Sequence, residues 1–128
     1  MDLNIYQNFV KTTTSAESKG LSEFIDRIVT LNVNVPLLLT ASVGLASESG
    51  EFSEIVKKIV FQGKEYNDDI RYHMLRELGD ICWYLANAAN ALGADLEGIV
   101  KMNVEKLEAR YPNGFEVARS ENRAKGDL

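Results

Sequence analysis

The sequence predicts an all-α protein, a helical bundle built around two long central antiparallel helices. Two observations carry this prediction. Apolar residues recur at spacings of three and four through most of the chain, which is the period expected of helices that pack on one side. The chain has only two prolines, and the alternating Val and Thr residues that are typical of half-buried strands are few.

The composition narrows the class of protein. Hydrophobic residues make up 45% of the chain and charged residues 26%, as in ordinary soluble globular proteins. We expect one domain over residues 1–117, followed by a charged, mobile tail over residues 118–128. The formal net charge of −5, with no basic face to neutralise phosphates, argues against nucleic acid as a partner. Because no secretory signal and no membrane-spanning apolar run is visible, we expect a cytoplasmic protein without a membrane partner.

Two short helices are expected before the central pair. The first covers residues 3–11 and stops at a run of Thr and Ser, which favour caps and turns. The second covers residues 19–31, although β-branched residues after Ile28 weaken the helix signal at its end. Its apolar residues form a helical stripe made of Leu21, Phe24, Ile25, Ile28 and Val29.

The first central helix is expected to cover residues 35–61. Asn34 is a suitable N-cap, and Pro36 is tolerated in the first helical turn. Gly44 and Gly50 each lower the helix propensity by about 1 kcal/mol relative to Ala. Close approach of a neighbouring helix explains these glycines, and so does simple tolerance of glycine.

The second central helix is expected to be capped by Asp68 or Asp69 and to run to Leu92, with Gly93 ending it. Its predicted core positions are Leu75, Leu78, Ile81, Leu85 and Ala88. A last helix is expected from Asp95 up to the Tyr-Pro-Asn-Gly run, because proline and glycine cannot continue it.

Two pairs of carboxylates, one on each central helix, are the most informative feature. Glu48 and Glu51 lie three residues apart, and so do Glu77 and Asp80, so each pair shares one helix face. If the two helices pack together, the negative charges converge and raise one another's pKa. A hard divalent cation such as Mg²⁺ or Mn²⁺ neutralises such a cluster, because it prefers carboxylate oxygens as ligands.

Two points stay open at this stage. Glu51 and Glu54 have the same spacing as Glu48 and Glu51, so Glu54 is a second candidate for the pair. A solvated helix face is the plainer interpretation of these acidic residues, with Glu54 paired to Lys58 four residues on. The apolar segment before Glu48 and the second acidic pair on an apolar helix favour the metal site.

With these motifs the sequence resembles the MazG-like all-α nucleoside triphosphate pyrophosphohydrolases. The signature of that family is E-x-x-E followed by E-x-x-D, and residues 45–54 and 77–84 match it. A third stretch, residues 103–115, is similar to the phosphate-side segment of the family. The resemblance spans residues 36–115, and the compact form resembles single-domain phage and bacterial members. Related members include dCTP pyrophosphatases, dimeric dUTPases and phosphoribosyl-ATP pyrophosphohydrolases.

The resemblance implies a Mg²⁺-dependent enzyme, with Mn²⁺ as a substitute ion, that converts an NTP or dNTP to NMP and pyrophosphate in nucleotide pool housekeeping. It implies a metal site made of Glu48, Glu51, Glu77 and Asp80. Glu48 or Glu51 would accept the proton of the attacking water, and both stay candidates. The glycine of the family motif falls just before the second glutamate. Glu48 with Glu51 is therefore preferred, and Glu54 would orient a water or support the ligands.

The resemblance also implies a set of substrate-binding residues: Lys58, Tyr84, Asn87, Asn103, Lys106 and Arg110. The last three share one face of the last helix and can face the phosphates, although Lys106 could instead pair with surface carboxylates. Lys58 lies two turns after Glu51, and either phosphate or Glu54 could be its partner. Tyr84 and Asn87 continue the metal-facing stripe of the second central helix. In the family the nucleoside lies beside this stripe.

The apolar surface of the central helices is too large for a chain of this length to cover alone, and the resemblance implies a homodimer or a homotetramer. His73, the only histidine, is interpreted as a surface or interface residue. Two alternatives to the enzyme stay open. One is a helical regulatory module that binds metal and nucleotide without turnover, and the other is a structural bundle without metal.

Overall fold

The computed structural model describes residues 2–122, and within this range the secondary structure is helical, with no strand. The helices are α1 (Leu3–Thr13), α2 (Leu21–Ile28), α3 (Val35–Phe61), α4 (Asp68–Ala91), α5 (Leu96–Arg110) and α6 (Val117–Glu121). The predicted all-α class is therefore confirmed. The last part of the predicted tail, residues 123–128, lies outside the described residues.

The chain divides into two compact units, Met1–Val35 and Pro36–Leu128. In the first unit, α1 extends two residues beyond its predicted end. The hydroxyl of Thr12 donates to the carbonyl of Phe9 at 2.7 Å, and the hydroxyl of Thr13 donates to that of Val10 at 3.1 Å. These bonds to the preceding turn accommodate threonine inside the helix.

The second helix of this unit, α2, is shorter at both ends than the 19–31 expected. The backbone N–H of Thr30 donates to Arg27, and that of Leu31 donates to Ile28, so these groups form three-residue turns instead of helical bonds. The β-branched residues that follow Ile28 favour this early end, because their side chains crowd the preceding helical turn. The prediction of a single domain over residues 1–117 stays a prediction.

In the second unit, the long helices α3 and α4 pack together over much of their length. Their contacts pair in reverse order along the chain. Gly44, early in α3, faces Tyr84, late in α4, whereas Ile55, later in α3, lines the same groove as His73, early in α4. The two central helices therefore run antiparallel, as predicted.

The start of α4 corrects a detail of the prediction. The N-cap is Asn67, whose side-chain oxygen accepts a hydrogen bond from the backbone N–H of Ile70 at 3.0 Å. Asp68 and Asp69, the predicted caps, lie instead in the first turn. Their negative charges stabilise the helix there, because the exposed N–H groups make this end of the helix partly positive.

The last two helices follow from local signals. Gly93 has a φ of +66°, a conformation that suits glycine, and it ends α4. Asp95 then caps α5, with its side chain accepting from the N–H of Gly98 at 2.7 Å. A bridge pairs Pro112 with Gly114 after α5, and α6 is a short helix that the sequence pattern did not predict.

The core of the second unit is small. Among the residues of this unit that the structure describes, the buried apolar ones are Ala41, Ile55, Ala89 and Ala91. Leu75, Leu78 and Leu85, which the periodicity places in the core, expose 47%, 42% and 40% of their surface. Those core assignments were wrong for the chain by itself, because the face of α4 that carries these leucines is incompletely covered.

No helix in the described part of the chain is both long and apolar enough to cross a membrane.

Candidate metal centre

Three carboxylates meet where α3 and α4 pack together. Glu48 and Glu51 lie one turn apart on α3, and Glu77 lies on α4. One carboxylate oxygen from each of the three lies within 4.8 Å of the others. Glu77 is the buried member, with 7% of its side chain exposed, whereas Glu48 is partly buried and Glu51 is exposed. We call this set the acidic cluster.

The acidic cluster is electrostatically unfavourable when every member is ionised. The pKa of Glu48 is raised above its ordinary value, first by loss of solvation and then by the negative charges around it. In order of effect, those charges belong to Glu51, Asp80 and Glu77. A hydrogen bond that Glu48 shares with Glu77 acts in the same direction. Each cause favours the neutral acid over the carboxylate.

Asp80, the predicted fourth ligand, lies one turn after Glu77 on α4 and is exposed. It is close enough to raise the pKa of Glu48, but its oxygens are not among those grouped within 4.8 Å. The geometry therefore brings three of the four predicted ligands together and leaves Asp80 at the margin. Its role as a ligand stays a prediction.

The donor set fits a hard divalent cation. Mg²⁺ binds oxygen at about 2.1 Å in octahedral geometry, so its oxygen ligands are about 3.0 Å apart when adjacent and about 4.2 Å apart when opposite. Three oxygens already within 4.8 Å of one another reach those separations by side-chain movements of at most about 2 Å. A cation would also offset the mutual repulsion that raises the pKa of Glu48. Glu48, Glu51 and Glu77 are the residues that would hold it.

Glu54 is engaged elsewhere. It forms ion pairs with Lys57 and with Lys58, the latter at 3.4 Å. The pKa of Glu54 is lowered, first by the hydrogen bond from Lys57. Because its negative charge is already compensated by lysines, the structure favours Glu48 with Glu51 as the α3 pair.

An open groove of about 290 Å³ adjoins the acidic cluster and lies along α3 and α4. The residues that line it are Ser47, Gly50, Glu51, Glu54, Ile55, Lys58 and His73. Lys58 is thus placed on the groove, as a phosphate-binding role requires, and is also paired with Glu54, as the alternative interpretation expected. The ion pair with Glu54 is therefore confirmed, and phosphate binding by Lys58 stays a prediction.

His73 is exposed, as the sequence interpretation expected, but its contact with Glu77 was not predicted. Its Nε2 lies 2.8 Å from Oε1 of Glu77, one turn further along α4. The sequence does contain a signal for this contact, because His73 and Glu77 are four residues apart and this spacing places two side chains next to each other on a helix. The sequence pattern did not show that Glu77 is buried and belongs to the acidic cluster.

The predicted nucleoside-side residues lie at the other end of the α3–α4 contact. The ring of Tyr84 packs against Gly44 and meets the ring of Trp83 edge-on, with 4.9 Å between the ring centroids. The side-chain amide of Asn87 donates to the backbone carbonyl of Trp83 at 3.0 Å. Neither Tyr84 nor Asn87 lines the groove, and their contact with a nucleoside stays a prediction.

The predicted phosphate-binding residues of α5 are also outside the groove lining. Asn103 and Lys106 are exposed, whereas Arg110 is partly buried. The guanidinium carbon of Arg110 lies 5.8 Å from the centre of the Tyr111 ring, a cation–π contact. The structure does not bring these three residues to the groove, and their role in phosphate binding stays a prediction.

Comparison with known proteins identifies the family of the segment that contains this site. A family model described as the MazG nucleotide pyrophosphohydrolase domain matches residues 38–115, more than half of the chain. The "Gene 37 protein" of Mycobacterium phage L5 is 34% identical over 87 residues, which cover 64% of this chain and 73% of that protein. No solved structure matches the chain. The segment matched by the family model contains the whole acidic cluster and the groove, and the chain belongs to the MazG nucleotide pyrophosphohydrolase domain family.

Proposed function

We propose that the protein is a Mg²⁺-dependent pyrophosphohydrolase that converts an NTP or a dNTP to NMP and pyrophosphate, acting on the cytoplasmic nucleotide pool. The observation that carries the proposal is the convergence of Glu48, Glu51 and Glu77 beside an open groove. This arrangement lies inside the segment that matches the family model.

The proposed chemistry follows from the charge of the substrate. When bound, Mg²⁺, or Mn²⁺ in its place, supplies charge neutralisation for the triphosphate and lowers the pKa of a coordinated water. Glu48, Glu51, Glu77 and Asp80 would hold the ion. Glu48 or Glu51 accepts the proton of the water that attacks the phosphoryl group. Both lie on the same face of α3, so either can reach a water at the cluster.

We assign the positioning of the substrate to residues outside the acidic cluster. Lys58 supplies a positive charge on the groove wall, and such a charge stabilises the negative phosphoryl oxygens as the transition state forms. Lys106 and Arg110 add positive charge from α5. Tyr84 and Asn87 follow Asp80 on α4, and we assign them to the nucleoside side.

A substrate panel tests the proposal. The wild-type chain is incubated with the common NTPs and dNTPs in Mg²⁺ or Mn²⁺, and the products are separated by chromatography. We expect NMP and pyrophosphate in equal amounts from at least one substrate. Release of NDP and phosphate would contradict cleavage at the α–β bond. Absence of turnover on every substrate, with the metal bound, would support the regulatory module instead.

The stabilising effect of Mg²⁺ is predicted to depend on pH. A carboxyl whose pKa is raised by folding favours the folded state while it is protonated, and this contribution is lost as pH rises through the folded pKa. Mg²⁺ binds the ionised form, so the Mg²⁺-induced rise in Tm should grow as pH rises through the raised pKa of Glu48. At 100 times Kd, a ligand that binds only the folded state stabilises it by about 2.7 kcal/mol.

The measurement is the Tm with and without Mg²⁺ from about pH 4.5 to 8, monitored by circular dichroism. Glu48→Gln should flatten this pH dependence, because a neutral amide replaces the carboxyl. Glu97→Gln, an exposed change at the start of α5, is the matched control and should retain it. A wild-type Tm that does not rise with Mg²⁺ at any pH would contradict the metal site.

We also propose that the chain assembles as a homodimer or a homotetramer. Large apolar side chains are widely exposed in the second unit, and extensive exposed apolar surface on a soluble protein is typical of an interface. Examples are Val43 at 70%, Phe61 at 82%, Leu92 at 62% and Met102 at 70% exposure. Sedimentation velocity should give a mass of two or four chains. A single monomeric species at micromolar concentration would contradict the assembly.

A further inference from the structure

We propose that His73 is a positioning residue for the acidic cluster: its Nε2–H holds the carboxylate of Glu77 in one orientation and so prepares it to bind a divalent cation. The inference rests on the proposed metal-dependent function. The contact that supports it is the 2.8 Å separation between Nε2 of His73 and Oε1 of Glu77.

The burial of Glu77 explains why this contact matters. Glu77 exposes 7% of its side chain, whereas His73 exposes 52%. Few water molecules can solvate a carboxylate that is buried to this extent, and a buried polar group is unfavourable unless it has a hydrogen-bond partner. His73 supplies such a partner from the same helix. The spacing of four residues on α4 fixes the relative position of the two side chains.

The carboxylate of Glu77 is therefore held by a neighbour on its own helix. His73 contacts it from one turn earlier on α4. A glutamate carboxylate that is free to rotate loses conformational entropy when it binds a metal. One that is already held in place loses less, so the contact with His73 should raise the affinity for the cation without adding a ligand.

A direct role in substrate binding is the alternative for His73, because its ring also lines the groove. The two roles predict different measurements. A positioning residue changes the affinity of the cation in the absence of substrate. A residue that only contacts the phosphates changes KM and leaves the affinity of the cation unaltered.

The test measures Mn²⁺ and Mg²⁺ binding to the full chain by isothermal titration calorimetry without nucleotide. His73→Leu removes the donor, and we expect it to raise Kd by about 10- to 100-fold, as is typical when a hydrogen-bond partner of a metal ligand is lost. His73→Gln carries a side-chain N–H that can donate to a residue four positions on, and it should restore most of the affinity. Circular dichroism of the metal-free variants verifies that the helices are retained.

Tyr72→Leu is the matched control. Tyr72 is the neighbouring residue on α4, is 66% exposed and lines neither the groove nor the acidic cluster, so Kd should stay at the wild-type value. If the wild-type chain binds the cation and His73→Leu binds it with the same Kd, the inference is overturned and the proposed function stays intact. Weak binding by both His73 variants would also overturn it, since the hydrogen bond would not be the cause. A wild-type chain that binds neither cation would overturn the proposed function itself.

Discussion

Replacement of Glu51 by Gln is expected to lower pyrophosphohydrolase turnover by at least about 100-fold, with the helical fold retained. The change keeps the shape of the side chain and removes one negative charge from the acidic cluster. Glu51 is the exposed member of that cluster, so the substitution leaves the packing of α3 against α4 largely unaltered. Steady-state kinetics on the substrate found in the panel, with Mg²⁺ varied, measures the effect.

Asp80→Asn is expected to abolish turnover in the same way if Asp80 moves in to ligate the cation. Its oxygens are not grouped with those of the acidic cluster, so this variant tests the assignment of the fourth ligand directly. Glu65→Gln is the matched control. It removes the same charge from the exposed loop between α3 and α4 and should retain wild-type turnover. Wild-type turnover in Glu51→Gln or Asp80→Asn would remove that residue from the proposed site.

Replacement of Gly44 by Ala is expected to destabilise the protein by about 2 kcal/mol. A Cβ at this position would lie 2.1 Å from Cε1 of Tyr84 and 2.2 Å from Cδ1, so the ring has to move. Overpacking of this kind costs about 1–3 kcal/mol, and a rigid aromatic ring places the cost at the upper end. The greater helix propensity of Ala offsets only about 1 kcal/mol.

Gly50→Ala is the control for this prediction, on the same helix. A Cβ at position 50 would meet no atom within 4 Å, so only the helix propensity changes. We expect a gain of about 0.5–1 kcal/mol in the free energy of unfolding. Urea denaturation monitored by circular dichroism measures both variants. Equal effects of the two substitutions would show that Gly44 is not at a point of close approach.

Much of the fold follows from local sequence signals. The bounds of α3 and the cap of α5 at Asp95 were predicted, because each depends on residues within one or two turns. Pairs of acidic residues three apart must share a helix face, so the sequence indicated which carboxylates belong together. The N-cap residue of α4 was harder to predict, because neighbouring residues compete for that position. Asn67 caps α4 although Asp68 and Asp69 were the predicted residues, since Asn and Asp are both suitable N-caps and differ little in preference.

The all-α class, the two long helices and the carboxylate pairs on them could be predicted from the amino-acid sequence, because helical periodicity and capping act within a few residues. Packing of the helices was needed to show which of Gly44 and Gly50 meets a neighbouring ring, and that Glu77 is buried with His73 beside it. It also placed Asp80 at the margin of the acidic cluster. These contacts depend on the register and rotation of α3 against α4, which residues distant in sequence set together and no local pattern encodes.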